Sequence, residues 1–427
     1  MRNSYTTKRL DRWFFIPAFA LYMFVVQFGN FFRLSDAEVV PGLSTGIGFL
    51  IIGFGIIRMV EAVSTNAVFQ ALVFLIAWLG LASMFSETGV AAAYRLLGNF
   101  TGYVMIAAIA SRTTISASQF RFIWIAASAG MALSAFLTVV DYVGIYNVPR
   151  NNDVVITSEV GSRLVEQATG FFPRRSAMAA VFSTVIAGSI LIGILERRII
   201  IKGLFWIFGS AGTLCVLLTH NRSGVLAALI ALAIYAFALM PGGLIPRLKI
   251  GLAGAVAATL IIAVMWNYFP EHLEVYQSKL GHLIPGSEQS TPKNVAKSDF
   301  GRVRLFLAAV DGLAENPVGN GFGSVKLTGY GYKGSHNIIT AFIWAAGVMF
   351  LLWLPLFLWF VYRAMRRIGV GSADPEFVPY IEATKCGLIA FVLNNMVHES
   401  WGTGAAWILF GLLLCMTRVA DNTKRYR

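Results

Sequence analysis

Long apolar runs separated by short polar breaks dominate this chain. A helix needs about 20 apolar residues to cross a bilayer. Twelve runs meet or approach that length: 13–32, 40–57, 66–86, 91–110, 121–146, 171–195, 199–219, 223–240, 248–268, 337–361, 379–399 and 401–418. They predict an all-α fold, a polytopic membrane helix bundle of about twelve transmembrane helices. The first run follows Arg2, Lys8, Arg9 and Arg12, as the core of a signal peptide would. No small-x-small cleavage pattern follows it, so it is expected to remain as an uncleaved first helix.

Two breaks are long. Residues 147–170 are polar and read as irregular, and residues 269–336 form a much longer segment. Loops beyond about 15 residues carry function or lack order. The second one has a Gly/Ser/Pro/Lys-rich stretch at 285–298, then turns helical. Ser298 or Asp299 can cap, and Val303, Phe306, Leu307, Val310, Leu313 and Ala314 follow on one stripe. Arg304, Asp311 and Glu315 take the opposite face, with Arg302 on the flank of the stripe. The helix is expected to lie on the membrane surface or to cap the bundle. It stops before Pro317, and Gly319-Asn320-Gly321-Phe322-Gly323 reads as a mobile link. The chain divides on this basis into 1–170 (about five helices and a first outer loop), 171–361 (a core that includes loop 269–336) and 362–427 (C-terminal helices and tail).

Composition agrees with the pattern. The chain is 57% hydrophobic and only 13% charged, against about 25% charged in soluble proteins. Disorder is excluded, because it needs low hydrophobicity and high charge. The net charge of +13, from 34 Lys and Arg against 21 Asp and Glu, sorts by position. Lys and Arg favour cytoplasmic loops. With both termini inside, the inner connections hold Arg58, Arg112, Arg121, Arg197, Arg198, Lys202, Arg247, Lys249, Arg363, Arg366 and Arg367, plus both basic termini. The excess is therefore chiefly a topology signal that meets anionic membrane lipids, and no nucleic-acid partner is expected. Cys215, Cys386 and Cys415 lie in apolar runs with no CxxC spacing, and read as packing residues.

Candidate chemistry then collects on the outer side. Thr219-His220-Asn221-Arg222-Ser223-Gly224 breaks two spans and puts Arg222 at a helix start, where free N–H groups and a guanidinium together suit a phosphate. The plain alternative is an Arg snorkelling to head groups. Arg302 and Arg304 open the amphipathic helix, either to meet an anion or as a solvated face. His336 with Asn337 opens the tenth span, as a general base with an orienting amide or as a helix cap. Arg174, Arg175, Asn394, Asn395, His398 and Glu399 are further lining candidates. All five histidines fall on the outer side, but none pairs at metal-ligand spacing, so no metal and no cofactor is expected.

In order and spacing these pieces resemble the O-antigen ligase and polysaccharide polymerase superfamily of bacterial inner-membrane proteins. The Thr219–Gly224 break resembles that family's Thr-x-Ser-Arg-small motif. Gly301-Arg302 through Pro317-Val318-Gly319-Asn320-Gly321-Phe322-Gly323 resembles its Gly-Arg helix closing in Pro-x-x-Gly-x-Gly, and Ser335-His336-Asn337 resembles its His-Asn motif. The resemblance spans roughly 170–360. It departs at Asn221, at Arg174-Arg175 and at Ala345-Ala346, where the family commonly has Ser, an Asn-containing segment and an acidic residue. It implies glycan transfer from an undecaprenyl-diphosphate carrier to an acceptor hydroxyl, on lipid A-core or a growing glycan, at the periplasmic face. Arg222 and Arg302 would then hold the diphosphate and His336 would act as base. Arg174, Arg175, Asn221, Arg304, Asn337 and His398 would bind substrate, and export or assembly proteins would be partners. A lipid-linked glycan transporter or a non-catalytic export component are the competing readings. A transporter, though, places its polar residues near the midplane, and these cluster at one face.

Overall fold

The computed structural model describes residues 9–28, 43–87, 89–145, 157–160, 163–166, 171, 175–239, 247–248, 251–252, 259, 262–272, 274, 292–327, 331–368, 375–398 and 404–425. Arg174, His282, Glu399 and the stretch 285–291 lie outside the described residues, as do the side chains of Arg175 and Arg222. In chain order the helices are α1 (Ile16–Val25), α2 (Leu43–Thr65), α3 (Ala67–Ser83), α4 (Val90–Arg112), α5 (Ala117–Tyr142), α6 (Arg175–Leu195), α7 (Ile199–Leu218), α8 (Arg222–Ile234), α9 (Pro292–Glu315), α10 (Ile338–Ala346), α11 (Val348–Arg367), α12 (Val378–Asn395) and α13 (Gly404–Arg425). Two antiparallel ribbons accompany them, β1 (Thr157–Val160) with β2 (Arg163–Glu166) and β3 (Val325–Leu327) with β4 (Gly331–Lys333). Among the described residues, five helices are long and apolar enough to cross a membrane: α2, α5, α6, α7 and α11. This fits an all-α membrane protein.

The chain divides into two compact units: residues 1–50, 114–290 and 374–394, and residues 51–113, 291–373 and 395–427. In the first, α1 packs on α5, and α5 to α8 pack on one another. Lipid tails are as apolar as Leu, so helices in a membrane associate through small residues that let backbones close up. Gly130 lies against the Phe24 backbone, Gly188 against the Trp124 ring, Gly224 against Ala179 and Gly387 against the Thr184 carbonyl. Each is a crossing between two helices where a methyl group has no room.

Polar residues gather at one end of this unit. Asp11 accepts from Thr114. Arg121 Nε donates to Tyr380 Oη at 2.8 Å, and Tyr380 donates to Glu196. Burial by itself pushes the Glu196 carboxyl up, but the Tyr380 bond, two backbone N–H bonds and the Arg121 charge outweigh it and hold the group below its ordinary value.

The second unit packs α3 on α4, α10 and α11, with α4 on α13 and α9 on α10. A Cβ at Gly411 would stand 2.2 Å from the Ala107 carbonyl oxygen, so α13 and α4 meet backbone to backbone. Arg58, which the pattern places in a connection, instead lies within α2, which runs on to Thr65. It is buried and its Nη1 donates to Thr113 Oγ1 at 3.4 Å.

Several expectations change. α5 begins at Ala117 rather than 121, because Ser116 and Gln119 form a capping box around a polar first turn. Residues 157–160 and 163–166, expected to be irregular, pair instead as two antiparallel strands. The Gly161-Ser162 dipeptide between two β-prone runs is the signal for this pairing. The tenth span is broken at Gly347 into α10 and α11. α9 starts at Pro292, well before Ser298, since proline suits a first helical position.

The face of α9 also differs from the predicted stripe. Val303, Phe306, Leu307 and Val310 are all exposed, and Leu305 and Ala309 are buried. Gly312 sits under the Trp344 ring, where a Cβ would be 2.8 Å from Cζ3. Small residues carry this contact, and a periodicity weighted by hydrophobicity overlooks them.

The Gly319–Gly323 segment is a packed joint. Asn320 N donates to Trp344 O at 2.9 Å and Gly321 N to Ala345 O at 3.0 Å, while Val348 N returns a bond to Pro317 O. Trp78 Nε1 donates to both Val318 O and Ala346 O. Phe322 is buried in the unit's core with Phe100 and Phe342. Glycines thin the backbone here so that it can lie on α10.

Candidate functional site

In the first unit the polar break folds as a tight turn. α7 ends at Leu218, and Thr219 Oγ1 donates back to Val216 O at 2.7 Å. His220 then turns the chain with φ of +55°. Asn221 is the N-cap of α8. Its Oδ1 accepts from Ser223 Oγ at 2.6 Å and from Gly224 N at 3.4 Å. Ser223 Oγ also lies 3.2 Å from the Asn394 amide. The hydroxyl has one proton, which goes to Asn221. Asn394 is then best satisfied with its Nδ2, otherwise unpartnered, turned towards Ser223.

Arg222 is the first residue of α8 and Arg175 the first residue of α6. The Gly224–Ala179 contact puts both helix starts at one end of the unit. Asn394 is at that end too. Arg175, Asn221, Arg222 and Asn394 therefore lie on helix ends at one end of this unit.

In the second unit His336 also has positive φ, +59°. Asn337 caps α10 and its Oδ1 accepts from Thr340 N at 2.7 Å. The capping role foreseen as an alternative is thus filled by the Asn337 side-chain oxygen. Among the described residues, His220 and His336 are the two non-glycine residues with positive φ. The same device, a left-handed His followed by a capping Asn, starts α8 in one unit and α10 in the other. The repeated His-Asn dipeptide is its sequence signal.

Arg302 and His336, 34 positions apart and both exposed, lie near enough in this unit for the guanidinium charge to act on the ring. Partial desolvation of the ring, and then the positive charge of Arg302, hold His336 below the ordinary imidazole value. Arg302 precedes Leu305 by three residues, so it borders the packed face of α9. Arg304 is exposed on the charged face. His398 is half-buried in the turn after α12. Ala345 and Ala346 are fully buried and their carbonyls hold the Gly321 and Trp78 donors.

Among the described residues no three His, Cys, Asp or Glu side chains cluster as a metal site. The buried pair His220 and His272 is a further polar group, and its 52-residue separation leaves no spacing signal in the sequence. Compared with known proteins, the chain matches no family model and no curated protein.

Proposed function

We propose that this chain transfers a glycan from an undecaprenyl-diphosphate carrier to an acceptor hydroxyl at the outer face of the bacterial inner membrane. The observation that carries the reading is the pairing of Arg302 with His336. A base needs a neutral imidazole at neutral pH. Partial desolvation and the Arg302 charge both favour that form of His336. His336 takes the acceptor proton, the acceptor oxygen attacks the anomeric carbon, and the bond from that carbon to the diphosphate oxygen breaks with its electron pair. The departing diphosphate gathers negative charge, which a fixed guanidinium stabilises. Arg302 has that task, and the reading gives Arg222 the same one from its chemistry at the first position of α8, where free N–H groups add to it. Attack opposite the leaving group inverts the anomeric centre. Twelve spans with both termini inside and loop 269–336 outside complete the proposed topology.

Transfer from a lipid-linked glycan to acceptor in proteoliposomes tests this. His336→Ala is expected to lose roughly 10²–10⁴-fold in rate, the usual worth of a general base, with unchanged amount of inserted protein. Full activity of that variant overturns the assignment. In a deletion strain, free polymer on its carrier marks a ligase, single repeat units mark a polymerase, and unchanged glycans remove the reading altogether.

A further inference from the structure

His220 and His272 are 52 residues apart and meet inside the first unit. His272 is 1% exposed and His220 5%. His220 Nε2 lies 2.6 Å from His272 Nδ1, and His272 Nε2 lies 2.6 Å from Tyr142 Oη. Tyr142 is the last residue of α5. Leu218, Met265, Phe269 and Leu217 close around the group.

A nitrogen pair this close holds one hydrogen, with one ring donating and the other accepting. Two neutral rings satisfy the chain. Tyr142 O–H donates to His272 Nε2, and His272 Nδ1–H donates to His220 Nε2, or every bond runs the other way. Two protonated rings would set N–H against N–H. A shared metal ion does not fit either, because ligand nitrogens at roughly 2.0–2.1 Å from zinc stand about 3.3 Å apart in a tetrahedral site.

The chain of bonds ends on the residue that turns the backbone. His220 holds φ of +55°, a conformation that a non-glycine side chain adopts only when its surroundings impose it. Asn221 and Arg222 follow directly. We infer that Tyr142 and His272 form a buried clamp that acts through His220 to hold this turn, making all three positioning residues for the start of α8 and so for Arg222. The clamp stands on its own geometry, and its bearing on catalysis rests on the role proposed for Arg222.

Hydrogen–deuterium exchange on the full chain in detergent tests it without reference to activity. The readout is the first turn of α8, residues 221–226. His272→Phe is expected to speed exchange there on the order of tenfold, about the worth of one buried hydrogen bond, and Tyr142→Phe, which removes one oxygen, to act in the same direction. Glycine accepts positive φ freely, so His220→Gly/His272→Phe should exchange more slowly than His220→Ala/His272→Phe. Unchanged exchange in both single variants, or equal exchange in the two double variants, overturns the clamp. ¹⁵N-histidine spectra should show one hydrogen-bonded N–H shared by two rings and lost from both in His272→Phe, and two independent rings overturn it as well. A wild-type chain with the clamp intact and no glycan transfer refutes the proposed function and leaves the clamp supported. A His272→Phe protein with loosened exchange and full transfer removes Arg222 from what the clamp positions.

Discussion

The imidazole of His336 is held below its ordinary value by partial desolvation and by Arg302. The cation disfavours a second positive charge, so removing it must raise the pKa. In Arg302→Gln, ¹⁵N titration of the His336 ring should move to higher pH, and the acid limb of any residual transfer should move with it. An unmoved titration would mean that the guanidinium does not act on this ring. Arg222 makes a different prediction. Lys keeps the charge but loses the planar fork that grips two phosphate oxygens. Arg222→Lys is therefore expected to lose most transfer, roughly tenfold or more, as the loss of a charged hydrogen bond implies. Normal turnover would favour a side chain that only snorkels to lipid.

Joints between elements in the second unit rest on backbone contact. Gly347 separates α10 from α11 at φ of +60°, and a Cβ there would stand 2.2 Å from the Pro317 carbonyl oxygen. Gly347→Ala should cost roughly 2–5 kcal/mol from conformation and overpacking together. Gly53, within α2, has nothing within 4 Å of its Cβ position, so Gly53→Ala is the matched control with little effect. Thermal unfolding in detergent compares the two. In the first unit, burial pulls His272 down to about 4. The unfolded chain then binds more protons than the folded one between that value and the ordinary one near 6.5. Stability should fall as pH drops through this window, with Tyr142, His220 and Phe269 the groups packed on the ring. The His272→Phe protein should lack that slope, and a wild-type melting temperature flat from pH 7 to 4.5 would contradict it.

Across the whole molecule, polar ends and apolar middles define an orientation that can be measured. In the first unit Tyr142, His220 and Asn394 share one end, and Arg121, Glu196 and Tyr380 the other. The 20 residues of α7 cover about 30 Å between them. Ile145 and Ile199 are 77% and 81% exposed at opposite ends, and the three native cysteines are buried. An impermeant thiol reagent should modify Ile145→Cys in intact spheroplasts and Ile199→Cys only after they are opened. The reverse pattern would invert the proposed topology.

Much of this was legible along the chain because it depends on local chemistry. Apolar runs of sufficient length become helices wherever they sit, and His-Asn or Ser-x-x-Gln at their edges sets where α8, α10 and α5 begin. Arg222 and His336 could be singled out for the same reason, since each stands at a helix start, whereas Arg302 lies in the middle of α9 and not at its opening. Contacts between distant residues could not be read this way. Leu305, Ala309 and Gly312 form the packed face of α9, with Gly312 making room for the Trp344 ring, although larger residues form the stronger stripe. The Gly319–Gly323 segment reads as mobile from its glycines alone, but Asn320 and Gly321 N–H bond the carbonyls of α10. His220 and His272 each read as a polar loop residue. Their meeting is a property of how α5, α7 and the 262–272 segment pack, and burial is what turns two ordinary imidazoles into a pair that must share a proton.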